Sequence, residues 1–151
     1  MQGNTQANHL AKRISQYTHY PKYELTLPFV TLDLTYLEEL EKDDVVLLKQ
    51  KVLSFLLLKD DIVVAKGVLK EHNALFICKI TELLEECLPL DVVKISLGKI
   101  SSKALDIGLN IDILSIDFEK VTLHYQGKKL AKASLINVED NIALKIQKVK
   151  R

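Results

Sequence analysis

Sliding the 151-residue chain against itself by 66 positions lays Val45 to Ile80 on Ile111 to Ile146 without a gap. Leu48 then falls on Leu114, Leu57 on Leu123, Ala65-Lys66 on Ala131-Lys132, Leu69 on Leu135, and Lys79-Ile80 on Lys145-Ile146. Apolar character is kept at further positions: Val45 with Ile111, Leu47 with Ile113, Phe55 with Val121, Val64 with Leu130, Phe76 with Ile142 and Cys78 with Leu144. A shift of 65 extends the match upstream, setting Val30-Thr31-Leu32 on Ile95-Ser96-Leu97 and Leu40 on Leu105. Such a repeat means one supersecondary unit used twice. Units of about 60 residues make marginal cores on their own, so the two copies are expected to bury their apolar faces against each other.

The chain divides accordingly into a polar tail or short helix over 1–23 carrying Leu10, Ile14 and Tyr17 at helical spacing, a first unit over 24–80, an acidic joint over 81–87 and a second unit over 88–151. Within the units the period is that of β-structure. Residues 122–125, 130–135 and 142–146 alternate apolar and polar side chains, and turn signals stand between them at 125–128 and 139–141. Short helices are expected at 36–41, capped by Asp33 or Thr35, and at 101–106. Leu, Ile and Val supply 52 positions against nine aromatics, an aliphatic composition that fits a packed chain and excludes a disordered one. The expected fold is therefore mainly β, two tandem β units with short helices paired as an intertwined pseudo-dimer.

Charge and apolar run length narrow the function. Twenty-one Lys and Arg against 20 Asp and Glu give a net charge of +1, far from the basic excess that phosphate neutralisation demands, so nucleic acid is not an expected partner. A small β-barrel nucleic-acid module is the remote alternative. Apolar runs such as Phe55 to Leu58 stop far short of the roughly 20 residues that cross a bilayer, and no transmembrane segment is expected. The first 20 residues have no apolar signal-peptide core, which leads to the expectation of a cytoplasmic protein. Cys78 and Cys87 have no further cysteine with which to build a framework and read as reduced, small apolar residues.

Catalytic patterns are missing. His9, His19, His72 and His124 show no metal-ligand spacing, and Gly98-Lys99 lacks the glycine that a phosphate loop requires five positions earlier, where Val93 stands. No catalytic residue, metal ligand or cofactor is expected. Binding is better supported. Leu135-Ile136-Asn137-Val138 breaks strict alternation, putting apolar side chains on both faces of one strand, and Phe55 to Leu58 and Ile62 to Val64 also need cover on two sides. Intertwining with the second unit is the expected cover for the latter, with Phe55, Leu57 and Val64 meeting Val121, Leu123 and Leu130 as the pairing surface. The basic end Lys148 to Arg151 can add weak steering toward an acidic partner.

The second unit has an order of elements that can be named: Leu88-Pro89-Leu90-Asp91-Val92-Val93-Lys94-Ile95-Ser96-Leu97-Gly98, Ile111-Asp112-Ile113-Leu114, Val121-Thr122-Leu123-His124-Tyr125-Gln126-Gly127-Lys128-Lys129-Leu130-Ala131-Lys132-Ala133, and Asn141 to Ile146. It resembles the surface-presentation-of-antigens (SpoA) domain: a proline-led strand ending in Leu-Gly, a helical turn, a hairpin and a closing strand. The first unit looks like a degenerate copy, with Asp33 in place of Leu-Gly and Asp60-Asp61 where the family has Asn-Gly. Tandem copies are similar to the C-terminal half of the cytoplasmic-ring, or sorting-platform, protein of type III secretion systems; single copies occur in the flagellar motor switch proteins FliM and FliN, the alternative identity.

The resemblance implies a non-enzymatic cytoplasmic scaffold at the inner-membrane secretion apparatus, with intramolecular pairing and homo-oligomerisation. Its implied partners are other ring or sorting-platform subunits and the N-terminal segment of the export-ATPase regulator. The FliN-like family carries a run of valines for that regulator at the place of Leu135, Ile136 and Val138, and Leu69 is the matching position on the first unit.

Overall fold

A computed structural model describes residues 20–31, 33–50, 53–72, 75–113 and 115–150. The expected tail up to residue 19, with Leu10, Ile14 and Tyr17, lies outside the described residues. The chain is mainly β. Its strands are β1 (Lys22–Thr26), β2 (Val45–Gln50), β3 (Ser54–Lys59), β4 (Ile62–His72), β5 (Leu75–Cys87), β6 (Val93–Ser101), β7 (Asn110–Asp112), β8 (Val121–Tyr125), β9 (Lys128–Val138) and β10 (Asn141–Val149). They form one antiparallel sheet in the order β2-β10-β9-β8-β6-β1-β3-β4-β5-β7. The single helix among the described residues is α1 (Leu34–Glu38), where Asp33 Oδ1 accepts from the Thr35 amide at 3.0 Å and thereby caps the first turn.

The hairpins follow from tight turns. Asp60-Asp61 between β3 and β4, Gln126-Gly127 between β8 and β9, and Glu139-Asp140 between β9 and β10 all have two consecutive residues of positive φ, from 50° to 78°. That is the two-residue turn whose twist matches the flanking strands. Asp60-Asp61 does the work of Asn-Gly because a short polar side chain tolerates the left-handed region. The expected helix at 101–106 does not form. β6 continues to Ser101, and Asp106 Oδ1 instead accepts from the Ile107 amide at 2.9 Å, a local bond that competes with helix formation. The stretch 81–87, read from the sequence as a joint, is the second half of β5 and pairs with β4 as far as Ile62 opposite Cys87. The connection between the strand sets β1–β5 and β6–β10 is the shorter stretch 88–92.

The strand order is unchanged when each strand is exchanged for the one five places away and the row is read backwards. Register gives the residue correspondence. Leu25 stands opposite Leu57 as Ile95 stands opposite Leu123, so β1 corresponds to β6 at a shift of 70. Tyr23, Leu25 and Leu27 match Val93, Ile95 and Leu97, all buried. The shift of 65 expected for Val30 to Leu32 is corrected, and Pro28 rather than Asp33 takes the place of Gly98. Val46 faces Leu144 as Ile111 faces Cys78, which makes the shift 65 at β2 and β7. Two hydrogen-bond pairs repeat likewise: Asp43 N to Ile146 O and Ile146 N to Asp44 O, both 2.8 Å, against Gly108 N to Ile80 O and Ile80 N to Leu109 O, 2.8 and 2.9 Å.

All ten strands send side chains into one buried cluster, including Leu25, Phe55, Leu57, Ile80, Ile95, Leu123, Leu144 and Ile146. The inner face of the sheet packs around this cluster, with Leu37 of α1 and Leu27, Leu40 and Ile113 of the connections added to it. Leu56, Leu58 and Val63 form a separate small cluster covered by Phe29, Leu84 and Leu88. Their cover comes from the end of β5 and from the two connections, which corrects the expectation that intertwining strands would supply it. Where β4 crosses β5, Gly67 is forced by space. A Cβ there would lie 2.6 Å from Cys78 Sγ and 2.8 Å from the Lys79 carbonyl oxygen. Gly67→Ala is expected to lower unfolding free energy by about 1–3 kcal/mol, as overpacking does, seen as an earlier urea midpoint with unchanged slope. Adding Cys78→Ala is expected to recover part of the loss, since one of the two clashes is removed.

Candidate partner-binding surface

β10 is flanked by the edge strand β2 on one side and by β9 on the other. Leu47, Ala143 and Ile136 stand in one row across the three strands, and residues opposite each other share a face. Val46, Leu144 and Leu135 make the adjacent row, where Val46 and Leu144 are buried in the core. The Leu47 row therefore faces outward. Val45 is on the same outer face opposite Lys145, and Val138 is two residues beyond Ile136. Leu47 is 57% exposed and Val45 43% exposed, while Ile136 and Val138 are half-buried. With β2 and β9 about 10 Å apart across β10, the four side chains make one apolar surface over the small Ala143.

The predicted binding residues divide between two faces. Leu135 and Leu69 are half-buried and pack against the inner core; their amides donate to Phe118 O at 2.7 Å and Leu53 O at 3.0 Å, another repeated pair. Ile136 and Val138 stay outside with Val45 and Leu47, two residues that sequence reasoning missed. The signal was available in the matching strand, where Asn110-Ile111-Asp112-Ile113 alternates polar and apolar while Val45-Val46-Leu47-Leu48 does not. At the other end of the sheet the corresponding outer positions are Asn110, Asp112 and Lys70, so only one end is apolar. Of the expected pairing residues, Phe55, Leu57, Val121 and Leu123 are buried in the common core, and Val64 and Leu130 are partly buried against it.

The middle of the outer face is polar. Lys94 Nζ lies 2.8 Å from Glu24 Oε1 and 3.6 Å from Asp61 Oδ1, and Ser96 Oγ donates to Glu24 Oε2 at 2.9 Å. Lys94 and Glu24 retain 15% and 21% of their side-chain exposure, so the pair is screened less than a surface one. Beside it, His124 Nε2 is 3.0 Å from Thr122 Oγ1. Burial lowers the His124 pKa, Lys94 and Lys129 lower it further, and Glu24 and Asp61 act in the opposite direction. Burial also pushes the Cys78 thiol up to about 11, which leaves it protonated and unreactive.

Among the described residues no group of three His, Cys, Asp or Glu side chains comes together to hold a metal ion. A hollow of about 820 Å³ between the ends of β1 and β6 and the strand β7 is lined by Lys22, Lys99, Lys103, Ser102, Asp112 and others, with no His or Cys in its lining. Among the described residues no helix is long and apolar enough to cross a membrane. No protein-family model matches the chain, and no curated protein matches it.

The lowered His124 pKa has a definite sign. The unfolded chain takes up a proton near pH 6.5 before the folded one does, so stability attached to neutral His124 is present above pH 6.5 and is lost as pH falls below it. Urea midpoints are expected to drop from pH 7.5 to pH 5.5 by more in the wild type than in His124→Gln.

Proposed function

We propose that this chain is a non-enzymatic scaffold of a type III secretion cytoplasmic ring, or sorting platform. It consists of two SpoA-like units, 24–80 and 88–151, paired as an intertwined pseudo-dimer. The observation that carries this reading is the exchange of short strands: β2 of the first unit pairs with β10 of the second, and β7 of the second pairs with β5 of the first. Each unit's sheet is thereby completed by the other, as the resemblance implies. The correspondence of β1 with β6 adds a second proline-led strand, Pro21 to Leu27 beside Pro89 to Leu97, to the likeness. In this reading Val45, Leu47, Ile136 and Val138 receive an apolar segment of the export-ATPase regulator, and the other ring subunits assemble around the pair.

Two experiments test it. Leu47→Asp and Ile136→Asp are expected to weaken capture of the purified regulator N-terminal segment about 30-fold, the loss of about 2 kcal/mol that marks a hot-spot residue. Asp112→Asn, at the polar end, leaves it unchanged; equal capture by all three variants removes the docking surface. Separately, a fragment of residues 88–151 is expected to sediment as a folded homodimer, with each copy's 110–112 strand taking the place of β2 on the other's β10. A monomeric, unfolded fragment would falsify the paired-unit architecture.

A further inference from the structure

The ladders β4/β5 and β9/β10 set corresponding residues opposite each other with different charges. Lys66 faces Glu82, with Nζ 3.9 Å from Oε2, whereas Lys132 faces Lys148. Like charges directly opposite on an antiparallel pair are destabilising. Lys129 and Lys150 join them, and the four lysines surround a hollow of about 250 Å³ with Ala131 at its base and no carboxylate in its lining. At the corresponding places on β4 and β5 stand Val63 and Leu84, which belong to the closed outer cluster with Leu56 and Leu58. An apolar plug at one end of the sheet is thus an open basic hollow at the other. Partial desolvation, and then the charges of Lys132, Lys150 and Lys148, lower the Lys129 pKa.

The counter-charge exists elsewhere on the same molecule. The end of β5 carries Glu82, Glu85 and Glu86, all exposed. Glu82 corresponds to Lys148 at the shift of 66, so two ends of matching fold bear opposite sign.

We propose that the lysine hollow of one molecule receives the carboxylates at the end of β5 of a second copy, a head-to-tail contact between basic and acidic ends. Each contact leaves one basic and one acidic end free, so copies add in one direction and close into a ring or continue as a filament. The contact deepens the scaffold reading but uses none of the apolar surface, and it stands on register and charge alone.

Sedimentation of the full chain over a concentration series tests this at about 10 mM and about 1 M salt, where the screening length falls from about 30 Å to about 3 Å. The wild type is expected to associate at low salt and to be monomeric at high salt. Lys129→Glu, Lys132→Glu, Lys148→Glu and Lys150→Glu together, and Glu82→Lys, Glu85→Lys and Glu86→Lys together, are each expected to be monomeric alone and to associate when mixed, because one variant then has two acidic ends and the other two basic ends. Lys132→Ala with Lys148→Ala, which removes charge without reversing it, is expected to weaken association at least tenfold and keeps the test valid if a reversed variant does not fold. A wild type that stays monomeric at low salt, variants that associate as it does, or a mixture that stays monomeric would each overturn the proposal. The same holds if the hollow takes up inorganic phosphate while copies do not meet.

Discussion

Ten strands of one sheet close around a single buried cluster, to which the helix adds Leu37 and the connections add Leu27, Leu40 and Ile113, and that shared core orders the rest of the molecule. Leu25, Phe55, Leu57, Ile95, Leu123 and Leu144, from strands in both halves of the chain, are buried together in it. Each of the sets β1–β5 and β6–β10 sends its short strand, β2 or β7, to the far edge of the other. The hydrogen bonds of Asp43 and Asp44 to Ile146, and of Gly108 and Leu109 to Ile80, fix those strands where they enter. Positive φ at Asp43 and Gly108 lets the chain turn there.

Against this inner face, the outer face is free to vary, and it does so in zones. At the centre, Glu24, Lys94 and Ser96 bridge β1 and β6 across the boundary between the halves. Breaking the pair leaves one charge partly buried without its partner, which costs more than the pair contributes. Thr26, fully buried beside Ser96, has its hydroxyl without a hydrogen-bond partner. It occupies the place that the serine fills at a shift of 70 and stands opposite Leu56 of β3.

The hairpins were legible in the sequence because their signals are local: alternation in 122–125 and 130–135, and turn residues at 126–127 and 139–140. The correspondence of the first strands was not. A gapless shift cannot absorb connections of different length, and 18 residues (27–44) separate β1 from β2 where eight (102–109) separate β6 from β7. The helix at 101–106 failed because β6 runs on to Ser101 and Asp106 Oδ1 takes the Ile107 amide in a local bond. The apolar outer surface at the β2 end was half legible. Ile136 and Val138 broke the alternation of β9, but Val45 and Leu47 lie in a run that reads as buried on both faces. Their exposure depends on β2 being an edge strand, a fact of topology that no local pattern carries. Leu135 and Leu69 were misplaced because an apolar pair on one strand must divide between faces, and the pattern alone does not say which member goes inward.

The two ends of the sheet differ in a way that follows from where sequence is constrained. Corresponding inner positions keep their kind, as in Leu57 with Leu123, Ala65 with Ala131 and Ile80 with Ile146, because a changed volume there disturbs a close-packed face. Outer positions do not: Leu47 corresponds to Asp112, Ile136 to Lys70, Lys148 to Glu82 and Lys150 to Leu84. Two identical ends would favour two-fold contacts between like surfaces, which close at a dimer. Ends that share a backbone but differ in apolar character and in sign instead distinguish one direction from the other. Four exchanges on an unconstrained face supply that distinction without altering the core.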